Sequence, residues 1–251
     1  MLELKLRGYV TPEDFEGSDG ERIQKALYTA KSEDIAKVVL RGSYKSDIPI
    51  TIPAGMHLVL EDAVLCADLQ NKVVNNFSFV SDRIYIEGKN SKIVGNIGFC
   101  HTRHLVLENL KIDGNVELNV SCDFRIEHVD ICGALTLGRG TQNAIIQYNK
   151  LTSVLMSGKD EGYDVPGRES IFKNIILRDS DIAGGVKLLA SEDCGFLNVQ
   201  IDGINAEKTG VILGEEGVSL PREQYKNLTF VDINAPEAVA FNNDYLHAYI
   251  K

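Results

Sequence analysis

The sequence predicts an all-β fold in which one chain winds into a solenoid of short parallel strands, a single-stranded parallel β-helix with a short capping α-helix at its N-terminal end. Two observations carry this prediction. An apolar phrase recurs about every twenty residues, and glycine and asparagine separate the phrases. We therefore expect one domain over residues 1–251, with an N-terminal cap region over 1–37, coils over 38–241 and a C-terminal tail or cap over 242–251.

The recurring phrase places one large apolar residue at an equivalent position in each unit. The aligned column reads Ile86, Leu107, Ile126, Ile146, Leu177, Phe196 and Phe230. A second short strand in the same units begins at Val116, Leu135, Val154, Val186, Val211 and Val239. In a parallel β-helix, equivalent residues of successive coils lie about 4.8 Å apart, so both columns are expected to stack inside the solenoid. Two longer intervals in the spacing indicate surface insertions.

Other repeat architectures fit the sequence less well. No apolar stripe at helical spacing persists through the units, and the Leu-x-x-Leu-x-Leu frame of leucine-rich repeats is absent. Helical spacing occurs only before the repeats, where Ser18 and Glu21 have the separation of a capping box. This predicts a helix over about 19–31 that covers the apolar interior of the first coil.

Composition bounds the partners and the compartment. Lys and Arg number 26 against 36 Asp and Glu, a formal net charge of −10, which disfavours nucleic acid as a partner. No segment looks like a signal peptide or a membrane span, so we expect a cytoplasmic protein with no membrane contact. Five cysteines without a Cys-x-x-Cys spacing predict neither a disulfide framework nor a zinc site.

The N-terminal segments Asp14-Phe15 and 19–27 resemble the opening signature of the pectate-lyase-like superfamily, which includes polygalacturonases, rhamnogalacturonases and tail-spike proteins. Residues 38–44, 52–55 and 57–65 look like the first-coil phrases of those proteins. The resemblance implies a right-handed parallel β-helix and a carbohydrate-active protein, a glycoside hydrolase or polysaccharide lyase acting on an oligosaccharide or polysaccharide. The four catalytic motifs of polygalacturonases are missing, so the resemblance supplies no catalytic residues.

Alternation along the second strand of each unit predicts which side chains face outward. These are Glu117, Thr136, Leu155, Lys187, Ile212 and Ala240. One glutamate and one lysine three coils apart, about 14 Å, do not form the carboxylate pair of a glycoside hydrolase. Leu155 and Ile212 indicate a cover over this face, either inserted loops or a second subunit in a homo-oligomer.

Two insertions give the best indication of a site. Residues 158–169 and 214–225 leave the same corner on coils two apart, with the coil 187–193 as a floor between them. We predict Lys187, Glu192 and Asp193 as the catalytic residues. The predicted substrate-binding residues of the two walls are Asp160, Glu161, Tyr163, Arg168, Glu215, Glu216, Arg222 and Tyr225.

The residue types at this corner suit a carbohydrate. Carboxylates bind sugar hydroxyls or a hard cation, and tyrosine rings stack on sugars. No cofactor is firmly implied, although a calcium ion is possible and could neutralise charge in a lyase reaction. The structural alternative is that these charged loops are only solvated. Two hypotheses therefore stay open: an enzyme acting on an oligosaccharide, and a non-catalytic carbohydrate-binding or assembly β-helix.

One polar column looks like a stacked catalytic set. It contains Asn109, His128, Tyr148, Asp179, Asn198 and Asp232. We expect these side chains to satisfy backbone groups at a turn between strands.

Overall fold

The computed structural model describes residues 2–71, 81–158, 170–215 and 222–241. The described helices are α1 (Leu2–Arg7) and α2 (Asp19–Ser32), with short 3₁₀ helices at Pro12–Asp14 and Arg222–Gln224. The strands are β1 (Lys37–Lys45), β2 (Ile50–Ile52), β3 (His57–Cys66), β4 (Leu69–Asn71), β5 (Ser81–Lys89), β6 (Lys92–Val94), β7 (Ile97–Cys100), β8 (Thr102–Glu108), β9 (Lys111–Asp113), β10 (Val116–Asn119), β11 (Cys122–Glu127), β12 (Asp130–Leu137), β13 (Gln142–Gln147), β14 (Lys150–Ser157), β15 (Phe172–Ile182), β16 (Val186–Leu189), β17 (Phe196–Asn205), β18 (Thr209–Leu213), β19 (Tyr225–Asn234) and β20 (Glu237–Phe241).

The strands build three parallel faces, because each coil pairs with the coil before it and the coil after it. Sheet A contains β2, β4, β7, β10, the C-terminal parts of β12 and β14, and β16, β18 and β20. Sheet B contains β5, β8, β11, β13 and the N-terminal parts of β1, β3, β15, β17 and β19. Sheet C contains β6, β9, the N-terminal parts of β12 and β14, and the C-terminal parts of β1, β3, β15, β17 and β19. The predicted parallel β-helix is confirmed.

The core is a set of apolar columns that run through the coils. In sheet B the in-register column is Leu58, Ile86, Leu107, Ile126, Ile146, Leu177, Ile201 and Phe230. In sheet A the predicted column from Val116 to Val239 is confirmed by the pairing register. Almost all these side chains are fully buried, and they belong to one continuous core.

The predicted sheet B column is wrong at one coil. Phe196 pairs with Phe172 and Tyr225, whereas Ile201 occupies the place next to Leu177. The reason is that β17 carries several inward apolar residues, Phe196, Val199 and Ile201, so apolar character alone does not fix the register.

The turn residues form two columns with left-handed backbone conformation. Between sheets B and C lie Asp62, Asn90, Asn109, His128, Tyr148, Asp179, Gly203 and Asp232, with φ between +48° and +60°. Within the start of sheet B lie Arg83, His104, Asp123, Asn143, Asn174, Asn198 and Asn227, with φ between +52° and +60°. Asn198 was expected in the first column, where the structure has Gly203; this follows from the same error in register. Asparagine, aspartate and glycine tolerate this conformation best.

Helix α2 closes the N-terminal end of the solenoid. Ser18 and Glu21 form the predicted capping box. Ile23, Ala26 and Leu27 are fully buried where the helix packs on β1 and β2. The predicted helix is therefore confirmed in place, type and role. No helix in the described ranges is both long and apolar enough to cross a membrane.

Candidate functional site

The two insertions leave the corner that was expected. Each connects a strand of sheet A with a strand of sheet B, β14 with β15 and β18 with β19. Most of the predicted wall residues lie outside the described residues: Asp160, Glu161, Tyr163, Arg168 and Glu216. Arg222 begins a short 3₁₀ helix, but its side chain is also outside the description.

Lys187 lies on the outer face of sheet A. It is exposed and is in register with Leu155 on one coil and Ile212 on the other, both of them half-buried. Glu192 is exposed, and its main-chain carbonyl accepts a hydrogen bond of 2.6 Å from the side chain of Gln224. Lys187 and Glu192 therefore stay candidates for a site at this corner, with the carboxylate of Glu192 exposed to solvent.

Asp193 is held in an ion pair. Its carboxylate lies 2.6 Å from Arg139 and accepts a 2.8 Å hydrogen bond from Ser191. The hydrogen bond from Arg139 holds the pKa of this carboxyl below its usual range. Asp193 is therefore ionised at neutral pH, and its ion pair links two turns at the same corner of the solenoid, the turn from β12 to β13 and the turn from β16 to β17.

Tyr225 and Glu215 are less exposed than a binding wall requires. Tyr225 is 8% exposed, its ring stacks on Phe196 at 5.6 Å, and its hydroxyl lies 3.3 Å from the backbone nitrogen of Ala190. Burial raises the pKa of this phenol. Glu215 is half-buried. The Tyr225 ring was predicted to face a ligand. Instead it is the last of three rings, Phe172, Phe196 and Tyr225, that stack on successive coils.

A second concavity lies on a different face. Two adjoining pockets of about 590 Å³ each follow the outer surface of sheet C and share Lys150, Asp181 and Asn205. We call them together the C-sheet groove. The other lining residues include His128, Asp130, Tyr148, Asp179, Gly203, Ala183, Ala206, Glu207, Asn234 and Pro236.

Strand alternation positions the polar floor of the C-sheet groove. Ile131, Leu151 and Ile182 point into the core, so the residues before them point outward. The outward column, in register, is Asp130, Lys150, Asp181, Asn205 and Asn234. Asp130 and Asp181 thus lie two coils apart with Lys150 between them, which places their Cα atoms roughly 10 Å from each other.

The groups of this floor keep free hydrogen-bonding capacity. The Asp181 carboxylate accepts a 2.8 Å hydrogen bond from Asn205, and Asp130 lies 3.6 Å from Lys111. Lys150 is exposed, and its place in the strand register lies between Asp130 and Asp181. The floor can therefore both donate to and accept from a polar ligand.

An aromatic pair forms one wall of the groove. The rings of His128 and Tyr148 stack at 5.2 Å with an angle of 14° between their planes. Tyr148 is 47% exposed. The next residues of its column are Asp179, which has a short side chain, and Gly203, which has none. The space beyond the Tyr148 ring therefore stays open.

Asn149 fixes the corner between Tyr148 and Lys150. It is 4% exposed, accepts a 2.9 Å hydrogen bond from the backbone nitrogen of Val129 and donates one of 3.0 Å to the carbonyl of Ile126. A buried side chain with two backbone partners holds its neighbours in one orientation.

Sequence reasoning missed this groove. It identified His128 and Tyr148 only as turn residues, and it did not apply alternation to the third strand of each unit. The signal was present in the sequence as the alternating charges of Lys111, Asp130, Lys150 and Asp181 at successive coils. Among the residues that the structure describes, no three His, Cys, Asp or Glu side chains converge as a metal site.

These features define a parallel β-helix protein with a polar, partly aromatic groove on one face. No protein-family model matches the chain, and no curated protein is similar to it in sequence.

Three solved structures align with most of this chain at very low identity. The surface protein and adhesin PfbA of Streptococcus pneumoniae is 8% identical with a TM-score of 0.46, over 93% of this chain and 99% of that chain. The Family 28 exopolygalacturonase of Yersinia enterocolitica is 8% identical with a TM-score of 0.49, over 94% and 78%. Tailspike protein 3 of bacteriophage CBA120 is 11% identical with a TM-score of 0.40, over 95% and 60%.

Proposed function

We propose that this protein is a carbohydrate-binding β-helix protein and that its ligand is an oligosaccharide lying in the C-sheet groove. The observation that carries the proposal is the exposed ring of Tyr148 beside the outward row of carboxylate, ammonium and amide groups. Aromatic rings contact the apolar faces of sugars, and polar groups beside them bind the hydroxyls.

The groove provides the groups that sugar hydroxyls require. The carboxylates of Asp179 and Asp181 accept hydrogen bonds, and the Lys150 ammonium donates them. The amides of Asn205 and Asn234 do both. Each half of the groove is about 590 Å³, inside the range of pockets that enclose small ligands, and two halves in line favour an oligosaccharide over a single sugar.

The proposal is tested by glycan binding with two groove variants. Tyr148→Asn removes the ring and suits the left-handed backbone at φ +57°. Loss of a ring contact worth about 1 kcal/mol weakens binding roughly fivefold. Gly203→Asn is tolerated at its φ of +60° and places a Cβ 3.1 Å from a carboxylate oxygen of Asp179, so it narrows the groove and should reduce binding as well.

The matched control is Tyr28→Ala, which removes an equally exposed tyrosine (51%) from helix α2. We expect it to bind like the unmodified protein. Unchanged affinity in both groove variants would contradict the proposal, as would the absence of retention on a broad glycan array.

A second candidate function is hydrolysis in the same groove. It is favoured by the placement of Asp130 and Asp181 on either side of Lys150, because inverting glycoside hydrolases hold two carboxyl groups roughly 6.5–9.5 Å apart. One carboxylic acid would protonate the leaving oxygen, and the other carboxylate would take a proton from the attacking water. New reducing ends that disappear in both Asp130→Asn and Asp181→Asn support hydrolysis; turnover unaffected by both changes contradicts it.

The corner between the insertions is the competing location. Lys187 and Glu192 are exposed there, and a site built from them stays a prediction. Glu192→Gln should leave glycan binding unchanged if the C-sheet groove is the site.

Self-association through Leu155 and Ile212 also stays a prediction. If the protein self-associates through these side chains, Leu155→Asp should reduce the particle mass in light scattering.

A further inference from the structure

Carboxylates outnumber cations in the C-sheet groove. Its two pockets are lined by Asp130, Asp179, Asp181 and Glu207, whereas Lys150 is the one lysine or arginine among the described residues that line them. All of these side chains except the half-buried Asp130 are exposed. A cleft lined mainly by charges of one sign raises the local concentration of ligands that carry the opposite sign. The charge of this groove therefore bears on which sugars it binds.

The cation of the groove is not used to neutralise its carboxylates. On earlier coils of the same sheet, the Lys92 ammonium lies 2.8 Å from the carboxylate of Asp113. Lys150 and Asp181 are register partners on neighbouring coils, yet Lys150 forms no ion pair with a described residue. The sheet thus pairs its charges before the groove and leaves them apart within it.

The other carboxylates of the groove are also weakly neutralised. Asp181 accepts a hydrogen bond of 2.8 Å from Asn205, which is uncharged. Asp179 lies 3.9 Å from the Nε of Arg178, and this Nε donates a shorter bond of 2.7 Å to a glutamine of β13. The carboxylate of Glu207 has no hydrogen bond or ion pair with any described residue. Three exposed carboxylates therefore remain available to a positively charged ligand.

The placement of these carboxylates suits an extended ligand better than a metal ion. Asp130 and Asp181 lie two coils apart, and successive coils are about 4.8 Å apart. Within the described ranges, no three His, Cys, Asp or Glu side chains gather around one point. A row of separated carboxylates matches a chain of separated positive charges.

The Tyr148 ring requires more of the ligand than charge. It is 47% exposed and lines the same surface as Asp179 and Asp181. Tyrosine faces attract cations, and they also pack against the apolar faces of sugar rings. A sugar that carries a positive charge satisfies both the ring and the carboxylates.

We propose, on the basis of the function proposed above, that the oligosaccharide of the C-sheet groove carries free amino groups, as an oligomer of glucosamine does. Each protonated amine donates up to three hydrogen bonds, and those to Asp179, Asp181 or Glu207 are strengthened by charge. An oligomer of uronic acids brings further carboxylates to this surface and is repelled.

The test compares four ligands of equal length by titration calorimetry. They are hexamers of glucosamine, N-acetylglucosamine and galacturonate, and hexalysine as a polycation without sugar rings. At about pH 6, primary amines are protonated and exposed carboxylates are ionised. We expect the glucosamine hexamer to bind roughly fivefold or more tighter than the N-acetylglucosamine hexamer in low salt, and this advantage to shrink in high salt. Galacturonate and hexalysine should both bind more weakly than glucosamine.

Two variants connect the preference to the groove. Asp181→Asn and Glu207→Gln should each weaken binding of the glucosamine hexamer about two- to fivefold in low salt and leave that of the N-acetylglucosamine hexamer nearly unchanged. The matched control is Asp34→Asn, which removes an exposed carboxylate next to helix α2 and is tolerated at its φ of +56°. It should bind like the unmodified protein.

The outcomes separate this proposal from carbohydrate binding itself. Equal affinity for the two glucosamine-type hexamers, or tightest binding of galacturonate, overturns the free amino groups; if Tyr148→Asn still weakens binding, the groove remains a carbohydrate site. Hexalysine that binds as tightly as the glucosamine hexamer also overturns the proposal and assigns the groove to a basic peptide. A glucosamine preference that persists in both Asp181→Asn and Glu207→Gln overturns it as well. Absence of binding by all three sugar hexamers contradicts both this proposal and the proposed function.

Discussion

Two adjacent isoleucines test whether the apolar columns hold the solenoid together. Ile146 is fully buried between Ile126 and Leu177 of the neighbouring coils, whereas Ile145, the residue before it on β13, is 38% exposed on the outer face. Ile146→Ala removes the same atoms as Ile145→Ala. In the core the loss adds a cavity, because hydrogen-bonded coils on both sides cannot close over it.

The expected magnitudes differ by a factor of several. Ile146→Ala should reduce the free energy of unfolding by about 4 kcal/mol, near the upper part of the range for buried isoleucine. Ile145→Ala should cost about 1 kcal/mol or less, the span of β-propensity on an exposed face. Urea unfolding followed by circular dichroism measures both. Equal losses in the two variants would refute the stacked column as the source of stability.

Three further outcomes are expected from single side chains. Asn149→Ala removes the side-chain partner of the buried Val129 backbone nitrogen and a hydrogen bond to the Ile126 carbonyl. It should therefore cost about 2–3 kcal/mol of unfolding free energy and weaken glycan binding. Native stability with unchanged binding would contradict its positioning role. Burial lowers the pKa of His57 in the folded protein, so as pH falls through about 6.5 the unfolded chain takes up a proton before the folded protein does, and the free energy of unfolding declines there. His57→Gln should flatten this part of a curve of stability against pH. An unchanged slope would contradict the assignment. The pKa of Asp193 is depressed in the folded protein, so its ion pair with Arg139 contributes stability above about pH 3.9 and loses it as pH falls through the lower pKa of the folded protein. Asp193→Asn should reduce the free energy of unfolding by less than about 1 kcal/mol at neutral pH in low salt, and not at all in high salt. A loss that salt leaves unchanged would contradict the ion pair.

The fold could be predicted from the sequence because its determinants are local and periodic. Each coil repeats the same inward positions, so a column such as Ile86, Leu107, Ile126 and Ile146 is visible without coordinates. The prediction was wrong at Phe196 because β17 contains three inward apolar residues, each of which could occupy the position beside Leu177. Only the pairing register shows that Ile201 occupies it. Hydrophobicity predicts that a residue is buried, but it does not predict which residue of the neighbouring coil it contacts.

The candidate site was harder to predict because it depends on lateral relations between coils. Tyr148 and Gly203 belong to different coils, and the open space beyond the ring exists only because their column also contains the short Asp179. The sequence gives no partner for Asp193, yet Arg139, 54 residues earlier and at the same corner of the solenoid, pairs with it. Tyr225 looked like an exposed loop residue, and its burial follows from stacking on Phe196 across one coil.

The most direct test of the proposed function is to map a bound oligosaccharide on the protein by amide chemical shifts. We predict that titration with a retained glycan shifts the backbone amides of Tyr148, Lys150, Asp181 and Asn205, and that Lys187 and Glu192 stay unchanged. Shifts confined to Lys187, Glu192 and Asp193, with the C-sheet groove unaffected, would contradict the account and place binding at the corner between the insertions.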